Sequence, residues 1–325
     1  GVNSTTGIAG LTLGGGIGWL SRKHGLTIDN LISAEVVTAK GEFIKTSETE
    51  NPDLFWGIRG GGGNFGVVTS FEFKLHPVGP QVLSAFIIHK LEDAKEVFPH
   101  YRSFVAEAPE ELSCWAVLRK APPLPFLPAE YHGTDIMFIV AMYNGDLEKG
   151  EKLLAPLRAV GSPIANVVVP NRFVDWQKAF DPMLTAGAQN YWKSHNFTSL
   201  SDGLIEALIS AGKTVPTPET EIFIVHIAGA TNRPSPDATA YPHRDTHFVI
   251  NAHVRWADRA HKEGNIAWAR ESQARCPSSP RPASTSTSSA RAKIGSWAPT
   301  ARTSAGWQIS RLASTPRTSF SRTST

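Results

Sequence analysis

The chain has 325 residues, of which 41% are hydrophobic, so it is long and apolar enough for about two packed domains. No apolar run approaches the roughly 18 residues of a membrane-spanning helix, which excludes an integral membrane protein of that kind. Two cysteines, Cys114 and Cys276, are too few for a disulfide scaffold or a cysteine-rich zinc module. Of the net charge of +3, residues 272–325 carry +8 and the remainder carries −5, so the basic character belongs to one segment.

The N-terminal part has the pattern of a small unit with both strands and helices. Two β-like runs at 34–38 and 42–46 predict a hairpin. The tripeptide Asn51-Pro52-Asp53 predicts a helix that is capped by the Asn51 side chain and ends at Gly60. Alternation over 66–75 then predicts a strand with one buried face.

The breaker sequence at 76–80 divides the body into a first domain, 1–78, and a second domain, 79–271. In the second domain, helical stretches at 203–211 and after Asp146 alternate with strand-like runs. These runs cover 82–89, 112–118, 136–143, 166–169, 190–198, 221–227 and 247–256. Several strands with intervening helices predict an open sheet covered by helices, and an α+β fold class.

The last 54 residues, 272–325, differ from the body in composition. Serine and threonine make up 22 of them, and they contain no Asp or Glu. Such a segment cannot bury enough apolar surface to offset its chain entropy, which predicts disorder. Its arginines also fit a nucleic-acid-binding arm, although we expect no nucleic-acid partner because another explanation of the composition, given below, accounts for it better.

The first candidate site is glycine-rich and consists of Thr5–Gly10 followed by Gly14–Gly18. Glycines permit positive φ and let backbone N–H groups approach a phosphate without a Cβ in the way. The run lacks the preceding strand and following helix of a Rossmann fingerprint, and it lacks the Gly-Lys-Ser/Thr of a Walker motif. By itself it fits a phosphate-binding loop and a tight turn against a sheet equally well.

The second candidate site is the tetraglycine loop at 60–63, which continues through Asn64 into the strand at 66–75. A flexible linker would not lead directly into an alternating strand. The pattern therefore favours a loop that wraps a planar or pyrophosphate-bearing ligand.

Together, the GGGIGWLSRKHGLTIDN run at 14–30, the NPDLFW run at 51–56 and the tetraglycine loop resemble FAD-linked oxidases of the berberine-bridge-enzyme type. These belong to the vanillyl-alcohol-oxidase superfamily with a PCMH-type FAD-binding domain. The resemblance is dense over 1–77 and thinner to about Glu271. It implies the C-terminal part of such an FAD domain, followed by a substrate domain with a mainly antiparallel sheet covered by helices.

The resemblance also implies FAD as cofactor, with contacts made largely through backbone atoms. The residues expected at FAD are Thr6, Gly7, Ile8, Ala9, Gly10, Gly14, Gly15, Gly16, Gly18, Gly63, Asn64, Gly66 and Val68. The implied partners are a small-molecule substrate and O2, and the implied reaction removes a hydride from an alcohol, sugar or amine carbon.

Three departures from the family pattern lead to further expectations. The family's preceding subdomain, with its flavin-linked histidine, is expected to be missing, and Asn3 stands where some members carry a flavin-linked cysteine. Residues 272–325 are interpreted as translated out of frame, because shifted codons can encode the family's YxN strand and closing DP turn. The chain as written lacks that tyrosine, so no catalytic base is assigned.

Three residues of the second domain are candidates for lining the substrate site: Tyr191, Lys193 and His243. Tyr191 and Lys193 share one face of a predicted strand of the kind that the family places over the flavin. His243 and His247 have a metal-like spacing, but no third ligand follows, so no metal site is predicted. Trp115, Trp176 and Trp192 are interpreted as core residues.

Two functions remain open on the sequence. The first is an FAD-dependent oxidase; the alternative is a fragment of such an oxidase that cannot hold flavin. No membrane association is expected. No signal peptide is visible, so the cytoplasm is favoured as compartment, although the expected missing N-terminus leaves targeting open.

Overall fold

The computed structural model describes residues 1–276, and within them ten strands form two sheets. The smaller sheet has the order β2-β1-β3, with β1 at Leu31–Val37, β2 at Phe43–Ser47 and β3 at Val67–Phe73. Strands β1 and β2 form the predicted hairpin, and β3 pairs with the other edge of β1. Short helices α1 (Ile8–Leu13) and α2 (Ser21–His24) precede this sheet.

Helix α3, Pro52–Ile58, buries Leu54, Phe55 and Ile58 against Val36 and its neighbours on β1. The sequence predicts the start of this helix correctly, but the Asn51 side chain does not cap it as predicted. Asn51 adopts a left-handed conformation with φ of 48°, and its amide donates to the Lys45 carbonyl at 2.8 Å instead of capping the helix. Asparagine tolerates this conformation better than most residues, which explains its position here.

The larger sheet has seven strands in the order β7-β4-β6-β5-β9-β10-β8, and every pairing is antiparallel. The strands are β4 (Gln81–Lys90), β5 (Leu112–Lys120), β6 (Asp135–Tyr143), β7 (Ala165–Arg172), β8 (Gln189–Phe197), β9 (Glu221–His226) and β10 (Phe248–Trp256). Each overlaps a strand predicted from the sequence. The mainly antiparallel, helix-covered sheet confirms the predicted α+β fold class.

Four longer helices cover one face of this sheet: α4 (Ala94–Glu107), α5 (Leu147–Arg158), α7 (Asp202–Gly212) and α8 (Lys262–Ala274). Asp146 caps α5 by accepting from Lys149 N–H at 2.9 Å, as predicted. The opposite face packs against Trp19 of the N-terminal part and against Trp176 of the short helix α6 (Phe173–Trp176). The sheet therefore lies between a layer of helices and a layer that includes the N-terminal part. The N-terminal part carries the glycine-rich motifs.

Helix α8 crosses the predicted start of the tail at residue 272. Ser272 and Gln273 are buried, and the Gln273 amide donates to the Lys193 carbonyl at 3.0 Å, so the body continues at least to Ala274. The tail is also predicted to be disordered and translated in a shifted reading frame. From residue 277 onward, these predictions apply to residues outside the part of the chain that the structure describes. Among residues 1–276, no helix has both the length and the apolarity that crossing a membrane requires.

Candidate functional site

The first glycine-rich motif lies at the surface. Residues 4–10 are exposed, and helix α1 begins after Gly7 without a side-chain cap, so no capping side chain occupies the N–H groups of its first turn. A Cβ added at Gly7 or Gly10 would meet no heavy atom within 4 Å. Neither residue has a positive φ. Neither packing nor backbone conformation therefore requires glycine at these two positions.

The second motif contacts the first. The Gly62 N–H donates to the Leu13 carbonyl at 2.9 Å, which joins the tetraglycine loop to the end of α1. Tyr241 then packs against both motifs: a Cβ at Gly15 would lie 2.8 Å from its ring, and one at Gly60 would lie 2.5 Å from its backbone nitrogen. Gly15 and Gly60 also have positive φ values, of 112° and 120°. Tyr241 is a residue that the sequence analysis missed.

The remaining predicted cofactor residues divide into two groups. Gly16, Gly18 and Gly66 are held by the fold, because a Cβ at each would collide with Thr27, with the Gly1 backbone and with the Val37 carbonyl, respectively. The others lie at or near the exposed surface of the motifs: Thr6, Ile8, Ala9, Gly14, Gly63, Asn64 and the half-buried Val68. Gly63, like Gly7 and Gly10, would place a Cβ in open space. We call Gly7, Gly10 and Gly63 the glycine surface.

The glycine surface fits FAD. Exposed N–H groups without side chains beside them are what a pyrophosphate needs for close approach, and an uncapped helix start favours anionic oxygens. Asn64 keeps the second loop in shape by donating to the Gly61 carbonyl at 2.6 Å. The interpretation as a fragment that cannot hold flavin gains no support from residues 1–276.

The loop that carries Tyr241, residues 233–246, is anchored to the N-terminal part by polar contacts. We call it the return loop. Arg244 donates to both carboxylate oxygens of Asp29, at 2.7 and 2.9 Å, and the Trp56 indole donates to the Asp237 carbonyl at 2.7 Å. Burial, the largest cause, raises the pKa of Tyr241 above its usual value. These contacts hold Tyr241 between the two motifs.

A second anchor is Arg22, on α2. Its guanidinium donates to the carbonyls of Ala228 at 2.7 Å, Pro109 at 2.9 Å and Ala108 at 2.9 Å, and also to that of Leu112. All four acceptors belong to the part of the chain that forms the larger sheet. The five donors of an arginine suit such a set of converging carbonyls. Arg22 thereby fixes the glycine-rich part against the sheet.

A cavity of about 50 Å³ lies where the N-terminal part meets the sheet. Its N-terminal wall is Val2 and Trp19, which are joined by a 2.9 Å hydrogen bond from the indole to the Val2 carbonyl. Its sheet wall includes Trp115, whose ring stacks on Trp19 with centroids 4.1 Å apart. Val2 lies four residues before Thr6 in the sequence, so the segment that forms this wall continues along the chain into the glycine surface.

The sheet contributes polar side chains to the lining of the cavity. The strand registers place Arg119, Glu221, His253 and Trp192 side by side on β5, β9, β10 and β8, on the face that carries Trp115. We call these four residues the polar row. Arg119 donates to Glu221, and both line the cavity. Burial lowers the pKa of Arg119 to about 10.

His253 in the polar row is buried and held neutral. Burial, and then the cations Arg255 and Arg119, lower its pKa to about 4. One ring nitrogen, Nε2, lies 3.0 Å from the Asn190 side-chain oxygen. Trp192 stacks on the ring with centroids 4.1 Å apart and is 57% exposed. The expectation that Trp192 is a core residue is therefore wrong, whereas Trp115 and Trp176 are buried as expected.

The structure separates Tyr191 and Lys193 from this site. Side chains alternate along β8, so they lie on the opposite face from Trp192. Tyr191 packs with the cluster under α8, and its hydroxyl accepts from Arg270 at 3.2 Å. The predicted pair therefore does not line the cavity. The sequence shows the alternation, but only the packing of α8 decides which face the helices cover.

His243, the third predicted substrate residue, lies in the return loop. Its ring packs edge-on against Tyr241, with centroids 5.6 Å apart. It is thus placed beside the glycine-rich motifs, on the side of Tyr241, and it does not line the cavity. Glu221 and Arg119, which do line it, were not singled out from the sequence because they lie 102 residues apart.

Comparison with known proteins concerns the fold and the cofactor. Residues 1–47 match the FAD binding domain family. An FAD-linked oxidoreductase of Dictyostelium discoideum is 33% identical over 251 residues, which are 76% of this chain and 52% of the relative. A xylooligosaccharide oxidase of Thermothelomyces thermophilus is 53% identical over 78 residues, which are 24% of this chain and 16% of the relative.

The chain is similar to FAD-linked oxidoreductases over about three quarters of its length. Its fold matches a berberine-bridge-enzyme-like protein of Physcomitrella patens with a TM-score of 0.73 at 23% identity, covering 85% of this chain and 61% of that one. A chitooligosaccharide oxidase structure gives a TM-score of 0.67 at 26% identity, with coverages of 84% and 60%. The chain therefore spans about half to three-fifths of the length of these family members. The resemblance to FAD-linked oxidases and the FAD cofactor that it implies are confirmed.

Proposed function

We propose that this chain binds FAD at the glycine surface and acts as an oxidase on a small molecule that enters beside Trp19. The bound FAD supplies a hydride acceptor for an alcohol, sugar or amine carbon and passes the two electrons to O2, which yields hydrogen peroxide. The relatives' names include oxidases of oligosaccharides and of 6-hydroxy-D-nicotine, so the names alone do not select one substrate class for this chain.

One observation carries the proposal: the same N-terminal segment forms both sites. In residues 6–10, Gly7 and Gly10 leave the space beside the backbone open. Val2 and Trp19, which precede and follow this segment in the sequence, form one wall of the cavity on the sheet. A cofactor along the glycine surface would therefore lie next to a substrate in that cavity. Such adjacency is what hydride transfer requires, because the reacting atoms must approach to about 3–3.5 Å.

The chain's own residues have defined tasks in this proposal. Arg22 and the Arg244–Asp29 pair hold the glycine-rich part against the sheet. Tyr241 keeps the two glycine motifs together. Trp19 and Trp115 form an apolar wall that limits the access of water to the cavity. The polar row provides the hydrogen-bonding groups on the sheet side.

The test is anaerobic reduction of the FAD-loaded chain. The purified protein is mixed with FAD, freed of excess by gel filtration, and titrated with benzyl alcohol, glucose and benzylamine while the visible flavin absorbance is followed. We expect at least one class to bleach the flavin, and admission of oxygen to restore the absorbance with formation of hydrogen peroxide. A loaded chain that dithionite reduces but none of these classes reduces would contradict the proposal.

A further inference from the structure

The Arg119–Glu221 pair is a buried ion pair at the apolar cavity that the proposed function uses. The two side chains are 6% and 7% exposed. Ten of the twelve cavity-lining residues are apolar, and the remaining two are this pair. An ion pair with its charges removed from water is costly unless its remaining hydrogen-bonding positions are satisfied. We therefore asked which atoms of the pair are already in use.

Arg119 has its hydrogen bonds within the chain. It donates through Nε to the Lys120 carbonyl at 3.0 Å, and through its terminal nitrogens to Glu221, to the Met183 sulfur and to the Pro218 carbonyl. Glu221 differs, because its hydrogen bond to Arg119 uses Oε1. Within residues 1–276, Oε2 accepts no hydrogen bond, and the carboxylate lines the cavity. The pair thus leaves one acceptor facing an otherwise apolar space.

We infer that Glu221, held by Arg119, accepts the hydrogen bond of a substrate hydroxyl, and that the substrate is a neutral alcohol on an apolar framework. This inference rests on the proposed function and narrows its substrate class. The cavity volume of about 50 Å³ holds one or two groups of water size, so a hydroxymethyl group fits while the framework lies at the mouth. The framework would contact apolar walls such as Trp19 and Phe223.

The charges around the cavity favour an alcohol over an amine. Arg119 balances Glu221, and Arg255 beside them is paired with Glu219 at 3.0 Å. A protonated amine would bring an additional cation, which the site has no free charge to balance, into a buried position. A hydroxyl supplies the one donor that Oε2 needs and adds no charge. The apolar lining likewise disfavours a substrate with hydroxyls on every side.

The experiment compares Glu221→Gln with wild type by equilibrium binding, using tryptophan fluorescence of the FAD-free full chain. The probes are benzyl alcohol, benzyl methyl ether, which lacks the O–H donor, and benzylamine. Glutamine can keep the acceptor for Arg119 while it replaces Oε2 with an NH2 donor. The control is Glu219→Gln, because Glu219 also pairs with a buried arginine, Arg255, but is 52% exposed and does not line the cavity.

We expect wild type to bind benzyl alcohol about tenfold more tightly than the ether or the amine, because one hydrogen bond to a charged group is strong enough to account for a tenfold change. Glu221→Gln removes this preference, and Glu219→Gln keeps it within twofold. Equal binding of the three probes by wild type, or an unchanged preference in Glu221→Gln, would overturn the inference. Thermal unfolding of both variants shows whether Glu221 has a purely structural role. In that case Glu221→Gln would weaken the binding of all three probes equally, and this result would also count against the inference.

Failure of the proposed function is recognised separately. If the chain prefers benzyl alcohol through Glu221 but no substrate reduces its flavin after FAD loading, the inferred binding site stands and the oxidase proposal fails. In a chain that is reduced, Glu221→Gln is expected to raise KM for benzyl alcohol by tenfold or more with a smaller effect on kcat, because the hydrogen bond forms in the bound ground state as well.

Discussion

Arg244 and Asp29, 215 residues apart, form a bidentate ion pair that ties the return loop to the glycine-rich N-terminal part. Their side chains are 2% and 12% exposed. Asp29 also accepts from the Leu26 N–H at 2.8 Å, so it shapes the turn after α2 as well as holding Arg244. Tyr241 lies three residues before Arg244, and its position between Gly15 and Gly60 depends on this anchor.

Replacing Asp29 with Asn should lower the free energy of unfolding by about 3–5 kcal/mol, because it leaves the Arg244 charge buried without its partner. The matched control is Asp202→Asn, whose carboxylate pairs with Arg102 at 2.6 Å but is 84% exposed. Exposed pairs contribute at most about 1 kcal/mol, so this variant should stay near wild type. Chemical denaturation of both variants measures the difference, and equal losses would contradict the assigned role of Asp29.

Gly10→Ala should separate cofactor binding from folding. The new Cβ has no heavy atom within 4 Å, and alanine in helix α1 should stabilise the fold by up to about 1 kcal/mol. The same Cβ would stand where the cofactor approaches, so FAD affinity should fall by about tenfold, the loss of roughly one hydrogen bond. Thermal unfolding and an FAD titration give the two quantities.

Gly15→Ala is the companion variant, and the opposite result is expected for folding. Gly15 has a φ of 112°, and its Cβ would lie 2.8 Å from the Tyr241 ring. A side chain in this conformation costs about 1–3 kcal/mol before the collision is counted. If Gly10→Ala destabilised the fold as much as Gly15→Ala does, the distinction between the glycine surface and the packed glycines would fail.

The pH dependence of stability should show two buried neutral histidines. Burial, with neighbouring cations, lowers the pKa of His253 to about 4 and of His226 to about 3. In the unfolded chain both titrate near 6.5, so protons bind the unfolded state first as the pH falls. Stability is complete above about pH 6.5 and declines toward pH 4, by about 1.4 kcal/mol per pH unit for each histidine.

The variant His226→Gln should remove about half of this slope. Denaturant unfolding of wild type and variant at intervals between pH 4 and pH 7 measures it. The two proteins should differ in slope below pH 6.5 and run parallel above it. Identical slopes over the whole range would show that His226 is not buried in its neutral form.

Arg22→Lys tests whether the shape of the guanidinium, and not the charge alone, joins the two parts. Arg22 donates to four carbonyls, and an ammonium has three donors on one nitrogen and cannot reach them all. Each carbonyl left buried and unpaired costs about 1–3 kcal/mol, so a loss of at least about 2 kcal/mol is expected. Arg270 is an exposed residue of α8, so Arg270→Lys should change the free energy of unfolding little. Equal stabilities of the two variants would contradict the anchoring role.

Features that depend on neighbouring residues could be predicted from the sequence. The hairpin of β1 and β2, the α5 cap at Asp146 and the two glycine motifs follow from short patterns. The contact of Tyr241 with those motifs could not be predicted, because it joins positions some 180 or more residues apart. The polar row likewise depends on strand order: β5 pairs with β9, which lies four strands later in the chain.

The face of the sheet to which side chains point was the second feature that the sequence could not predict. Alternation along β8 placed Tyr191 and Lys193 on one face and Trp192 on the other, but the sequence offers no sign of which face the helices would cover. Helix α8 covers the face of Tyr191, where Arg270 contacts its ring and hydroxyl. The residues that α8 buries include Asn265, Ser272 and Gln273, so no hydrophobic pattern in this segment indicated the covered face.

The most direct measurement is the binding of FAD to the purified 325-residue chain, followed by gel filtration and visible absorbance of the protein peak, with Gly10→Ala run in parallel. The proposed function predicts that one FAD per chain elutes with the wild-type protein, and that less elutes with the variant although its thermal unfolding is unchanged or higher. A wild-type chain that is folded by circular dichroism but elutes without flavin would contradict the central claim that the glycine surface binds FAD.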